Sequence, residues 1–379
     1  MSSVPFFYTE LMQQYNMGPS HPMKPQRLKM VKELLNDYGM FNAQLELTEP
    51  TPAGLADVRA IHSPEYIDAL QACESGSPAV DVRRFGLTTA DNPLFRGIFS
   101  ASMLYTGASQ DAAQAVMDGA PAAINISGGL HHAHESRAAG FCVLNDCAAA
   151  INRLKKKYHR VAYVDIDVHH GDGVQELFYS NPSVLTISIH ENGRTLYPGT
   201  GSPSEIGTGE GEGTCVNINI AAKSTDEIWL GAWRAAAIPV LRDYNPEAIV
   251  LQMGADAHAL DPLANLRLTA QGWLHAVQDI ISQGKPLVVL GGGGYNLATV
   301  TRMWALASAL VAGTRLDDAV PANSSFLQYD STLLDTSDYL PDYLEFEYAS
   351  ARTVAFTTEL ERNLQGYYHI GRGSQNRIA

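Results

Sequence analysis

VDIDVHHGDG, residues 164–173, is a Val/Ile run carrying three aspartates and two histidines where it leaves the core. It is the end of a longer apolar run, Val161 to Val168, and four others share its form: Ala122 to Ser127 before GGLHH, Val184 to His190 before ENG, Ala248 to Met253 before GAD, and Leu287 to Leu290 before GGGGY. Short β-rich runs that end in Gly or polar residues and alternate with helix-length segments predict βαβ units. The intervening segments, residues 99–118, 143–157, 225–243, 270–282 and 298–311, are rich in Ala and Leu at helical spacing. The expected fold is therefore one α/β domain over residues 1–379, a mainly parallel central sheet with helices on both faces. Residues 73–92 and 193–213 read as long surface loops, and residues 329–348 as an irregular acidic C-terminal appendage.

The 379 residues are 45% hydrophobic, enough to bury a substantial core, and carry a net charge of −14, which argues against a nucleic-acid or anionic-membrane partner. Uninterrupted apolar runs stay below the roughly 18 residues of a membrane span. MSSVPFFYTELMQQ lacks the basic and apolar regions of a signal peptide. Cys73, Cys142, Cys147 and Cys215 form no CxxC pair, which fits a reducing cytosol.

Strand alternation sets Val164, Ile166 and Val168 on one face and Asp165, Asp167 and His169 on the other. Two residues along a strand span roughly 6 to 7 Å, so Asp167 and His169 can reach one small ion. Carboxylates buried in a parallel sheet cost several kcal/mol unless compensated, and a divalent cation compensates them. Asp256, just past AIVLQMGA, adds a third ligand. Two carboxylates and an imidazole with a free fourth position make a catalytic rather than a structural zinc site. Further strand ends bring the tandem His131–His132 and Tyr295 to the same edge, where open α/β sheets collect functional groups. GGGG at residues 291–294 fits neither phosphate-binding pattern and predicts close backbone approach instead. No GxSxG is present and no cysteine has an evident activating partner, so a Ser or Cys nucleophile has little support. His170 reads as a structural hydrogen-bonding residue.

GGLHHAHESRAAGFCVLND (128–146), YVDIDVHHGDGVQELFY (163–179), LYPGTG (196–201), GADAHALDPL (254–263) and LGGGGYN (290–296), in this order, resemble the zinc-dependent histone deacetylase family and its arginase/deacetylase fold. GPSHPMKPQRLKMVKELL (18–35) and FGLTTADNP (85–93) resemble the class I branch, and the whole is most similar to bacterial acetoin-utilisation deacetylases. The resemblance covers residues 5–315. It implies zinc, with ferrous iron as the alternative metal, held by Asp167, His169 and Asp256. It implies His131 and His132 as paired catalytic imidazoles backed by Asp165 and Asp172, and Tyr295 as hydrogen-bond donor to the substrate carbonyl. Gly140, Phe141 and Tyr197 would line an acyl-lysine tunnel, with Leu263 near its mouth and Asp91 gripping the substrate backbone at the rim. Arg27 corresponds to the arginine of an internal acetate channel, and Asp165, Asp167, His169 and Ser188 to a potassium site. Tyr197 departs from the Phe usual in class I, placing a hydroxyl on one tunnel wall.

The implied activity is hydrolysis of the amide of acylated lysine in proteins, acetyl first among the acyl groups, by water from which His132 takes a proton. The alternatives are an amidohydrolase of acetylated polyamines or other small amines, and a non-catalytic acyl-lysine binder. The expected partners are acylated lysine side chains in the cytoplasm, with neither nucleic acid nor membrane; no oligomeric state is read from the sequence.

Overall fold

The computed structural model describes residues 3–76 and 81–370. Its strands are β1 (Val4–Phe7), β2 (Leu45–Thr48), β3 (Ala122–Asn125), β4 (Val161–Asp165), β5 (Val184–Glu191), β6 (Cys215–Ile220), β7 (Ala248–Gln252) and β8 (Leu287–Leu290). They form one sheet in the order β2-β1-β3-β8-β7-β4-β5-β6, in which each paired ladder is parallel. The expected mainly parallel sheet is parallel throughout, and β3, β4, β5, β7 and β8 have every residue buried, as strands covered on both faces do.

Ten α-helices lie among the described residues: α1 (Gln26–Asp37), α2 (Leu55–Arg59), α3 (Pro64–Ala72), α4 (Ile98–Met117), α5 (Asp146–Leu154), α6 (Asp172–Phe178), α7 (Asp226–Tyr244), α8 (Ala270–Ile281), α9 (Leu297–Val311) and α10 (Tyr343–Asn363). α4 packs with α5, and α7, α8, α9 and α1 pack in succession, giving the layers that enclose the sheet in a single α/β domain. None of these helices is long and apolar enough to cross a membrane.

Three strands end earlier than their apolar runs. Asn125, Asp165 and Gln252, the last residues of β3, β4 and β7, each turn a side-chain oxygen back onto the backbone N–H two residues on: Ser127 at 3.1 Å, Asp167 at 3.1 Å and Gly254 at 2.7 Å. A local acceptor thereby replaces the ladder, the competition that short polar side chains offer a strand. Asp167 and His169 consequently sit in a turn past β4 rather than on its face, a correction to the alternation argument. The turn continues in the same manner, with Asp167 Oδ1 accepting from His169 N at 2.9 Å.

The C-terminal appendage is only partly irregular. Residues 329–342 are, but Asp342 accepts from Glu345 N at 2.9 Å and caps the start of α10, whose Ala349, Thr353 and Leu360 are buried. Within the expected loop 73–92, residues 77–80 lie outside the described ones and Arg83–Phe85 forms a 3₁₀ turn. Residues 193–213 are irregular apart from a turn at Gly209–Gly211.

Candidate active site

The carboxyl ends of β3, β4, β7 and β8, the four central strands, deliver the candidate residues to one place. From the segments after β4 and β7, Asp167, His169 and Asp256 each offer one ligand atom, all within 4.8 Å of one another and all buried. His169 turns Nδ1 to 3.1 Å from Asp167 Oδ1 and 3.1 Å from Asp256 Oδ2. Further bonds hold the carboxylates: Asp167 Oδ2 accepts from Gln252 Nε2 at 2.9 Å and Gly293 N at 2.8 Å, and Asp256 Oδ1 from Val168 N at 2.9 Å. Burial and the Asp167 charge push Asp256 up to about 7. Two carboxylates so close in a dry site call for a cation, and a set of two oxygens and one imidazole nitrogen suits zinc or ferrous iron. The Gly291–Gly294 run passes this cluster closely. A Cβ at Gly293 would run into the Asp256 carboxylate and crowd Asp167.

The turn after β3 brings His131 and His132 beside the cluster. His131 Nδ1 donates to Asp165 Oδ2 at 2.7 Å, and Asp165 also accepts from Tyr163 Oη at 2.7 Å. His132 Nδ1 donates to Asp172 Oδ1 at 2.6 Å, and the two Nε2 atoms are 3.0 Å apart. Burial alone would lower His131, but the Asp165 and Asp167 carboxylates overcome it and raise it to about 9. Burial and the His131 charge instead lower His132 to about 4. At neutral pH the pair is one imidazolium and one neutral imidazole, in contact. The turn itself is fixed from behind: Asp146 accepts from Gly129 N at 2.9 Å and Leu130 N at 2.8 Å, and Asn145, which caps α5, donates to Ala133 O at 2.9 Å.

Tyr295 follows the glycine run, just before Asn296 caps α9 by accepting from Ala298 N and Thr299 N. Burial raises the Tyr295 hydroxyl well above its ordinary value, so it stays a donor. Its ring meets Phe141 edge-on at 5.6 Å, while Tyr197 meets His132 edge-on at 5.1 Å. A Cβ on Gly140 would press on the His132 ring. Gly140, Phe141, Tyr197 and Tyr295 thus gather around the histidine pair, with Tyr197 42% exposed. Asp91 is exposed and is linked to this group through His21, which packs on Phe141 at 4.5 Å and lies 3.2 Å from the Asp91 carbonyl. Leu263 is half-buried on the loop of Asp261. Arg27 is buried behind the site, donating to Gly294 O at 3.1 Å with its guanidinium 4.8 Å over Trp304. Ser188 pairs across from Asp165, and its hydroxyl bonds His190 Nδ1 at 2.8 Å. His170 lies between Thr200 Oγ1 at 2.8 Å and Gln175 Oε1 at 2.9 Å.

Sequence reasoning missed two supports. Gln252, the last residue of β7, ties Asp167 to the Gly129 carbonyl. Asp261 accepts from Tyr295 N at 2.8 Å and Leu263 N at 2.9 Å, and burial raises it to about 6. Its only sequence signal was a position inside GADAHALDPL.

The Histone deacetylase domain matches residues 21–311. Histone deacetylase B of Dictyostelium discoideum is 37% identical across 94% of this chain and 84% of its own length. Acetoin utilization protein AcuC of Bacillus subtilis is 41% identical across 79% of this chain and 80% of its own. A crystal structure of an HDAC homolog complexed with SAHA aligns with a TM-score of 0.83 at 27% identity, over 93% of this chain and 99% of that one. With a domain match across most of the sequence, relatives aligned over most of their length and a shared fold, the chain belongs to the histone deacetylase family of hydrolytic deacetylases.

Proposed function

We propose that the chain hydrolyses the amide of N6-acetyl-lysine in proteins, releasing acetate, with a divalent metal held by Asp167, His169 and Asp256. The supporting observation is a buried Asp/His/Asp cluster beside a histidine pair whose members are tuned in opposite directions, with the His132 and His169 rings 6.0 Å apart. Zinc or ferrous iron bound there supplies Lewis acidity, lowering the pKa of water from ~15.7 towards ~7 and polarising an amide carbonyl. His132, neutral at working pH, accepts the proton of the attacking water at Nε2 and returns it to the leaving amine, while Asp172 holds its Nδ1–H. His131, charged and held by Asp165, lends positive charge beside the developing oxyanion. Tyr295 donates its hydroxyl to that oxygen. Gly140, Phe141 and Tyr197 line the passage for the lysine stem, Leu263 lies near its mouth, and Asp91 holds the substrate backbone at the rim. Arg27 belongs to an internal route for acetate. Potassium by Asp165, Asp167, His169 and Ser188, and action in the cytosol, complete the proposal.

A panel of acyl-lysine peptides and acetylated polyamines, assayed with metal-stripped and zinc-restored protein, tests it. Acetate release from acetyl-lysine peptide that is lost on stripping and regained with zinc is the expected result. Turnover indifferent to the metal overturns the mechanism, preference for polyamines moves the substrate class, and peptide binding without acetate release marks a binding protein.

A further inference from the structure

The loop that carries Asp256 and Asp261 is gripped from outside the matched domain. Asp335, in the irregular segment before α10 and beyond residue 311, is a buried acceptor for four groups. His258 Nε2 donates to it at 3.0 Å, Arg302 Nη2 of α9 at 2.5 Å, the backbone N of Ala270 at the start of α8 at 2.7 Å, and Tyr339 Oη at 2.9 Å. Its own backbone exchanges hydrogen bonds with Gln271 at 3.0 and 3.1 Å. His258 Nδ1 accepts from Leu260 N at 3.1 Å, which leaves an Nε2 proton for Asp335, and Arg302 Nη2 lies 3.2 Å from the same Nε2. His258 stands two residues from Asp256 and three from Asp261, the residue that holds Tyr295. One carboxylate therefore ties the loop of Asp256 to the start of α8 and to Arg302 inside α9.

We propose that Asp335 is a positioning residue for the metal site, acting through His258 to fix the loop that presents Asp256 and, by way of Asp261, Tyr295. The inference rests on the metal-site assignment of the proposed function. Ordering of a ligand by its outer partners typically accounts for about 10- to 100-fold in metal affinity. Breaking a buried charge-assisted hub leaves His258 and Arg302 facing an emptied acceptor, so the loop loses its fixed orientation.

Asp335→Asn keeps the volume and one acceptor oxygen while removing the charge. Zinc affinity by competition against a chromogenic chelator, and the visible absorption of the cobalt-loaded protein, are compared with wild type, with far-UV circular dichroism checking the fold. The expected result is a folded variant that binds zinc about 10- to 100-fold more weakly with altered cobalt bands. A folded variant with wild-type affinity and bands overturns the inference. If Asp335→Asn does not fold, His258→Asn decides, since it cuts the link to the loop and leaves the Asp335–Arg302 pair intact: weakened zinc binding supports positioning and unchanged binding overturns it. Failure of the wild-type protein to bind zinc would instead remove the metal-site assignment itself.

Discussion

His131 Nε2 lies 3.0 Å from His132 Nε2, so a positive charge on one ring directly faces the other. Charge on His131 therefore opposes charge on His132, second only to burial among the causes that lower it to about 4. His132 must be neutral to act as base, and activity falls as falling pH protonates it. Replacing His131 by Gln removes the opposing charge and lets His132 protonate at higher pH. The acid limb of kcat/KM, followed between about pH 4 and 8, is expected to move upward in His131→Gln; a limb that stays or moves downward contradicts the assigned roles.

Tyr295 is kept protonated by burial and aligned by Phe141 and Asp261. Removing one donor to a developing oxyanion costs about 10²- to 10³-fold in rate. Tyr295→Phe should lose that much kcat on an acetyl-lysine peptide with a nearly unchanged KM. Wild-type kcat in the purified variant rules the donor role out.

Gly293 has no room for a side chain, because a Cβ there meets the Asp256 and Asp167 carboxylates. Gly293→Ala should bind zinc more weakly and turn over at least about 10-fold more slowly, an overpacking effect confined to the site. Bound zinc per chain after dialysis measures it. An alanine variant with full zinc content and activity would mean the glycine run can move away from the cluster.

His62 lies outside the candidate metal cluster and histidine pair and is expected to weaken acid stability. Its Nδ1 donates to His134 O at 2.9 Å and its Nε2 accepts from Asn145 N at 3.0 Å, so the folded protein holds it neutral, and burial lowers it to about 4 from 6.5. Below pH 6.5 the unfolded chain takes up a proton that the folded chain refuses until about pH 4. Stability is therefore present above the unfolded value and declines as pH falls through this window, by about 2 kcal/mol from His62 between pH 7 and 5. Urea unfolding at the two pH values should show a smaller decline in His62→Gln than in wild type; equal declines exclude His62 as the source.

The five runs that end in glycine or titratable groups are all strands of the sheet, and Asp167, His169, Asp256, the histidine pair and Tyr295 meet at their ends. Those features were legible because each is local: an apolar run, a turn, a charge out of place. β1 and β2 were not, being four residues each, with Pro5 inside one and only Leu45 fully buried in the other. β6 hides because Asn217 and Asn219 alternate with its apolar residues and are buried with them. α10 escaped notice because its inward stripe is Ala349, Thr353 and Leu360, small or polar residues at helical spacing, while Tyr343 and Leu344 face out. The roles of Asp261 and Asp335 were not legible, since the backbone groups they hold, Tyr295 N and Ala270 N, lie 34 and 65 residues away and carry no side-chain signature.

The strand order also governs how the chain is made. β8 lies between β3 and β7, so before Leu287 is synthesised the sheet can exist only as two separate pieces, β2-β1-β3 and β7-β4-β5-β6. His131 and His132 follow a strand of the first piece, and Asp167, His169 and Asp256 follow strands of the second. In a nascent chain the sheet contacts that join the histidine pair to the Asp167–His169–Asp256 cluster are therefore expected only after about three quarters of the chain is made, and parallel pairing across so long a separation is intrinsically slow. Truncation before β8 should leave two sticky half-sheets in search of a partner strand, with the histidine pair on one and the Asp167–His169–Asp256 cluster on the other.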